Sequence, residues 1–362
     1  MSATNAFDPN AAAAPGSGIF GLPSGDRAYD RSAKIAFLPI PWEVTTSYGG
    51  GTAQGPAAIL EASHQVDLFD LDVFRPYEAG FAMRPLNDAG YRKILALNTK
   101  TKPLAERARK GRGKPADALK KKVNAAGTAL NAWVHAETRA ILAQKQIPAL
   151  IGGDHSTPFG AFQAVAEGHG PFGILHFDAH SDTRASYEGF DWSHASIMRN
   201  ALDRIPQITS LVQVGIRDFC EEEYEYTRSQ PKRVHVHYDS ALARAKQSGR
   251  SWNDLMAEIL RPLPNSVWIS FDIDGLDPRF CPHTGTPVPG GLDFSEATGL
   301  IGALARSGRK IVGFDLNEVA PAPSRKGQHG DEWDANVAAR LLYKMAAWTL
   351  HSQGLRPLTA RP

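Results

Sequence analysis

Phe172-Gly173-Ile174-Leu175 runs straight into His176-Phe177-Asp178-Ala179-His180-Ser181-Asp182, and the change of character between the two decides how the chain is read. The first part is short and apolar, as a strand buried on both faces of a parallel sheet tends to be. In the second part Asp178, His180 and Asp182 recur at every second position. Extended backbone points alternate side chains the same way, so the three project together from the strand's end. Taken alone, the stretch reads equally well as an acidic strand-to-helix turn of an ordinary α/β protein.

Working outward, apolar runs suited to strands recur at residues 33–40, 148–151, 173–178, 210–215, 233–238, 267–272 and 310–316. Helical patterns fall at residues 55–63, 116–145, 158–167, 194–202, 219–228, 252–260, 294–306 and 334–350. Such alternation argues an α/β fold with a mostly parallel sheet, helices on both faces and right-handed crossovers. Residues 1–31 are rich in Ala, Gly, Pro, Ser and Asp and are expected to form a flexible arm or a subunit-wrapping tail. No linker or repeat divides the remainder, so residues 32–362 are expected to be a single domain.

Composition excludes more than it assigns. Hydrophobic content of 42% and charged content of 22% describe an ordinary globular protein. A net charge of +2 gives no electrostatic argument for nucleic acid or membrane. Cys220 and Cys281 make no disulfide framework or Cys-x-x-Cys pair. With no transmembrane-length run and no secretory leader, a cytoplasmic location is expected. Residues 100–122 are strongly basic but lack aromatics, so a solvated face is favoured over a nucleic-acid surface. The loop from Trp42 to Gly51 is glycine-rich, yet its spacing matches neither the dinucleotide nor the P-loop pattern. It reads as a loop lining a pocket beyond a strand end.

Two further strand ends carry metal-capable residues: Gly152-Gly153-Asp154-His155-Ser156 and Ser270-Phe271-Asp272-Ile273-Asp274-Gly275-Leu276-Asp277-Pro278. Ligands of open parallel sheets bind beyond the carboxyl ends of the strands, so all three stretches belong on one face. A polar turn accounts for His155 and helix capping for Asp272 and Asp274, but only one at a time. Asp178, Asp182, Asp272 and Asp274 total four negative charges, which two divalent cations neutralise. Without counter-ions, buried carboxylates are costly or take up protons. Carboxylates with imidazoles suit Mn²⁺, Ni²⁺ or Fe²⁺ better than thiolate-seeking metals.

These three motifs together resemble those of the ureohydrolase family, which includes arginase, agmatinase and guanidine hydrolases. The resemblance covers about residues 33–350. It implies a three-layer α/β/α arginase-like fold with a central sheet of about eight strands. It also implies a binuclear centre. His155 and Asp182 would hold one ion, His180 and Asp274 the other, and Asp178 and Asp272 would bridge both. By the same resemblance His194, in Ser193-His194-Ala195-Ser196, is the proton-shuttling histidine. Glu318, in Asp315-Leu316-Asn317-Glu318-Val319, is the carboxylate that pairs with a guanidinium. The expected reaction is hydrolysis: a metal-bridging hydroxide, oriented by Asp182, attacks the guanidinium carbon, and His194 protonates the departing amine.

The sequence departs from common agmatinases. Ala195 follows His194 where Gly is usual, and Val288 sits where an acidic residue is frequent. The stretch Tyr187-Glu188-Gly189-Phe190-Asp191-Trp192 adds aromatic bulk before His194. These features, with the Trp42 loop and Glu332-Trp333-Asp334, resemble the branch of nickel-dependent guanidine hydrolases and the metformin hydrolase. That branch implies two nickel ions, with manganese the alternative, and a small substrate such as guanidine or metformin. Agmatine or 4-guanidinobutyrate is the runner-up. Thr45 and Thr46 are read as offering hydroxyls to the guanidine nitrogens, and Trp192 as a closing wall; packing at a subunit contact is an equal reading of Trp192 and Trp333. The family implies a homo-oligomer, trimer or hexamer, or a hetero-oligomer with a homologous subunit. A single-zinc deacetylase is the rival class, but it would not need His155, Asp182 and Asp274 together. A non-catalytic partner subunit could lose ligands freely, and all six are present.

Overall fold

The computed structural model describes residues 7–25, 27–322 and 332–360. Its strands in chain order are β1 (Ile35–Pro39), β2 (Phe81–Met83), β3 (Ile147–Ile151), β4 (Phe172–Phe177), β5 (Ile208–Ile216), β6 (Val234–Tyr238), β7 (Ser266–Asp272) and β8 (Lys310–Asn317). They form one eight-stranded sheet in the order β2-β1-β3-β8-β7-β4-β5-β6. Every neighbouring pair is parallel. The helices are α1 (Arg27–Ser32), α2 (Gly55–Ser63), α3 (Ala89–Lys110), α4 (Gly113–Ala143), α5 (Phe159–His169), α6 (Ile197–Arg204), α7 (Glu221–Ser229), α8 (Asp239–Gln247), α9 (Trp252–Leu260), α10 (Phe294–Arg306) and α11 (Trp333–Ser352). This is the expected three-layer α/β/α arrangement.

The central strands read as unbroken apolar runs because both faces are covered. In β4, Phe172 and Ile174 join the core beneath α4, α5 and α6, among Leu38, Leu130, Phe162, Met198 and Trp268. Leu175 and Phe177 point the other way, into the core beneath α10 and α11, among Phe37, Phe314, Leu300 and Leu342. At Gly313 a β-carbon would stand 2.2 Å from the Trp268 ring, so the indole requires glycine on the adjacent strand.

Four elements depart from the sequence reading. β2 is only three residues long, below what periodicity registers. α3 and α8 fall on segments to which the sequence reading assigns no element. The segment read as one helix at residues 194–202 opens with a 3₁₀ turn, His194–Ser196, capped by the Ser193 side chain, before α6 begins. The stretch read as a flexible arm is packed in part. Ile19, Phe20 and Leu22 are buried, and the Phe20 ring lies 5.0 Å from Tyr343 and 5.8 Å from Phe81. Burying such a ring contributes about 2 kcal/mol. Residues 1–6 and 26 of that stretch lie outside the described residues, as do residues 323–331 and 361–362 of the stretch read as the domain. The basic stretch divides between the C-terminal half of α3 and the first turns of α4.

Candidate metal centre

The strand order sets β3, β8, β7 and β4 side by side, so their carboxyl ends open on one crevice. β3 delivers His155, β8 delivers Glu318, β7 delivers Asp272 and Asp274, and β4 delivers Asp178, His180 and Asp182. Asp182 and Glu318 both take left-handed backbone, φ 55° and 60°, which turns the chain sharply at the crevice. At Gly153 a β-carbon would stand 1.7 Å from the Trp42 carbonyl oxygen, so only glycine lets the His155 turn pack against the Trp42 loop.

His155 Nδ1 lies 3.1 Å from Asp178 Oδ2, 3.1 Å from Asp272 Oδ2 and 3.5 Å from Asp182 Oδ2. His180 Nδ1 lies 3.1 Å from Asp274 Oδ2 and 3.4 Å from Asp178 Oδ1. Two groups result, with Asp178 common to both: its ligand atoms stand within 4.8 Å of those of His155, His176 and Asp182 on one side, and of His180 and Asp274 on the other. The six residues expected as ligands are therefore brought together.

The electrostatics suit cations. Burial, then the neighbouring carboxylates, hold Asp182 and Asp272 well above the usual carboxylate range. Burial opposes charge on His155 and His180, but the aspartates outweigh it and hold both imidazoles well above their ordinary value. The carboxylates thus draw protons onto themselves and the imidazoles when no other positive charge is at hand. Asp274 Oδ2 is buried and accepts no hydrogen bond among the described residues, although His180 stands beside it. Oxygen and imidazole donors with an unused carboxylate lone pair fit divalent first-row metals.

Sequence reasoning missed the groups behind the ligands. Gln213 Nε2 donates to the Ser181 carbonyl at 2.7 Å, which identifies that end of the amide as NH₂. Its other hydrogen meets His176 Nδ1 at 3.0 Å. Nδ1 is then the acceptor and the ring proton sits on Nε2, which donates to Asp178 Oδ2 at 2.8 Å. A protonated Nε2 has no lone pair for a metal, so His176 orients Asp178 rather than joining the ligand set. Burial holds this imidazole below its ordinary value, hence neutral. The signal was present: the alternation Asp178, His180, Asp182 extends one step back to His176. Similarly, His155 Nε2 meets Ser270 Oγ at 2.9 Å, and Ser270 Oγ donates to Asp315 at 2.8 Å. Burial pushes Asp315 up to about 6.

His194 borders a cavity of about 170 Å³ lined also by Ser47, His180, Asp182, Tyr187 and Phe219. Its ring is open to the cavity on one side, yet burial, then His180 and Arg109, push its pKa down to about 3. Glu318 accepts from the His155 backbone N–H at 2.9 Å. Burial, then Asp272 and Asp154, hold its carboxyl well above the usual range.

Three expected substrate contacts are placed otherwise. The Thr45 hydroxyl donates to Asp154 at 3.0 Å and accepts from the His194 backbone N–H at 3.1 Å, so it holds the histidine in place. The Thr46 hydroxyl is committed to the Glu43 carbonyl at 3.1 Å. Trp192 does not line the cavity. Its indole donates to Thr128 at 2.9 Å, meets the Phe159 ring at a tilt 4.8 Å away and lies under Arg204, all within the helical layer. The aromatic wall expected of it is supplied by Tyr187, whose ring meets His194 edge-on at 6.0 Å.

The family model described as the arginase family matches residues 33–347. An N(1)-aminopropylagmatine ureohydrolase of Thermus thermophilus is 32% identical over 338 residues, covering 92% of this chain and 94% of that protein. Another of that name from Synechocystis is 30% identical over 324 residues, covering 89% and 90%. Among solved structures, proclavaminate amidinohydrolase of Streptomyces clavuligerus superposes with a TM-score of 0.70 at 22% identity, covering 94% of this chain and 99% of that one.

Proposed function

Because this chain belongs to the arginase family, hydrolases of guanidino C–N bonds, we propose that it cleaves a small guanidine, either guanidine itself or an alkyl or biguanide derivative such as metformin. The products are urea or a urea derivative, with ammonia or an amine. The observation that supports a compact substrate is Tyr187, whose ring stands against His194 on the wall of the cavity of about 170 Å³. One ion would rest on His155 and Asp182 and the other on His180 and Asp274, with Asp178 and Asp272 shared. We assign nickel, with manganese the alternative. When bound, the pair of ions supplies activation of water near neutral pH.

The chain's own groups do the rest. Glu318 accepts two N–H donors of the planar guanidinium, whose charge restores the ionised carboxylate that burial disfavours. Asp182 accepts a hydrogen from the attacking water and so aims it. His194 takes up the proton released and passes it to the departing nitrogen; burial favours its neutral form, which is the form that can accept that proton. Thr45 fixes the backbone from which His194 projects.

A second reading rests on Asp218, an exposed carboxylate on the cavity wall about which an agmatine ammonium would fit. 4-Guanidinobutyrate, with an anionic tail, would turn instead to Arg184 on the same wall. We take residues 32–362 as one domain on the ground of the single sheet. Family members are generally oligomeric, and we infer a homo-oligomer, trimer or hexamer, acting in the cytoplasm. No helix among the described residues is long and apolar enough to cross a membrane. The test is purified protein loaded with Ni²⁺ or Mn²⁺, its metal counted, and offered guanidine, metformin, agmatine and 4-guanidinobutyrate. Turnover of guanidine or metformin with two ions per chain is expected. Preference for agmatine selects the second reading; turnover only after adding a homologous subunit selects a hetero-oligomer.

A further inference from the structure

Two cations of the basic stretch, Lys102 and Arg109, are part-buried and turned onto the neighbouring loops. They lie on the face of α3 that also carries Asn98 and Ala105: positions 98, 102, 105 and 109 follow the spacing of one helical stripe. Asn98 Oδ1 accepts from the Glu43 backbone N–H at 2.8 Å. Lys102 Nζ reaches Glu43 Oε1 at 2.6 Å, and the other oxygen of that carboxylate accepts from the Gly51 N–H at 2.5 Å. Asn98 and Lys102 thus hold both ends of the loop that carries Thr45.

Arg109 reaches further. Its Nη2 donates to the Thr45 carbonyl at 2.9 Å, its Nε donates to the Glu188 carboxylate, and its plane lies 5.3 Å over the Phe190 ring. Glu188 and Gly189 form the left-handed tip of a tight hairpin, φ 55° and 84°, closed by paired backbone hydrogen bonds between Tyr187 and Phe190. One guanidinium therefore joins two loops that meet at His194. The first fixes the histidine's backbone through the Thr45 hydroxyl; the second sets Tyr187 against its ring.

We propose that Arg109 is a positioning residue for His194, acting from α3 through the Thr45 loop and the Glu188 hairpin. It touches neither the ligands nor the cavity. The inference rests on the reading of His194 as the proton carrier. Fork geometry is essential to it, because one ammonium cannot meet a carbonyl, a carboxylate and an aromatic face at once.

The test compares metal-loaded full-length wild type with Arg109→Met, Arg109→Lys and Glu188→Gln. Arg109→Met is expected to lower kcat by ~10–100-fold with KM within ~3-fold, as loss of alignment does. Arg109→Lys, which keeps the charge and loses the fork, is expected to fall at least ~10-fold. Both should keep two ions per chain. Hydrogen exchange should quicken in residues 43–51 and 185–196 and stay unchanged at the β3, β4 and β7 ends. Wild-type kcat in Arg109→Met, full rescue by lysine, or unaltered exchange in both segments overturns the proposal. If Arg109→Met does not fold, Arg109→Lys and Glu188→Gln carry the test. Wild type that hydrolyses no guanidine would refute the functional reading alone, since the exchange pattern still judges the clamp.

Discussion

Asp178 receives four donors: His155 and His176 on one oxygen, the backbone and ring of His180 on the other. Burial alone would raise its pKa, but His176, His155 and His180 outweigh this and hold it well below the usual range. Metals would replace the ring donors of His155 and His180, leaving His176 to keep the carboxylate in place. Gln213→Leu removes the amide that selects the His176 tautomer. It should lower metal affinity by ~10-fold or more while the protein stays folded. Metal retained after dialysis against a graded chelator measures this; retention equal to wild type would show that Asp178 needs no such help. The ligands were legible because each sits at the abrupt end of an apolar run. Their supports were not, because Gln213 and Ser270 lie inside strands, where a single polar residue looks like noise until the fold supplies its partner.

Between elements, the contrast of Tyr187 and Trp192 is instructive. Both precede His194 in one aromatic stretch, yet the hairpin turn between them leaves Tyr187 at the cavity and Trp192 in the helical layer. Tyr187 faces the cavity, and Trp192 fills the notch that Gly127 leaves in α4, where a β-carbon would come within 2.8 Å of it. Trp192→Ala should therefore cost about 2–3 kcal/mol of stability, read from urea unfolding, with no change in the ratio of agmatine to guanidine turnover. Tyr187→Ala should raise that ratio at little cost in stability. An altered ratio in the tryptophan variant would return it to the mouth. Linear spacing cannot separate the two, because direction is set by backbone turns of non-glycine residues such as Glu188. α3 escaped notice for a different reason. Its buried stripe is Tyr91, Ile94, Asn98, Thr101, Ala105 and Ala108, so small and polar residues occupy core positions, and Pro103 sits inside it. An apolar period fades when the core it faces is a hydrogen-bonded loop.

For the molecule as a whole, acid should act partly through β6. Burial pushes His237 from 6.5 down to about 4. Between those values the unfolded chain binds the proton and the folded chain does not. The folded state is thus at full advantage above pH 6.5 and loses it as pH falls towards 4. His237→Gln should flatten the pH dependence of stability over that window in metal-loaded protein, and equal slopes for the two proteins would contradict it. The parallel sheet also gives the protein two unlike rims. Every candidate ligand stands on the carboxyl rim, whereas the connections that enter the strands, such as residues 170–171 and 307–309, carry none. At Gly170 and Gly308 a β-carbon would meet nothing within 4 Å. A library of random peptide insertions should therefore sort by rim, with catalytically competent survivors concentrated at these entrances and the opposite edge intolerant. New loops, and with them new appetites, can be grafted where the chemistry is not looking.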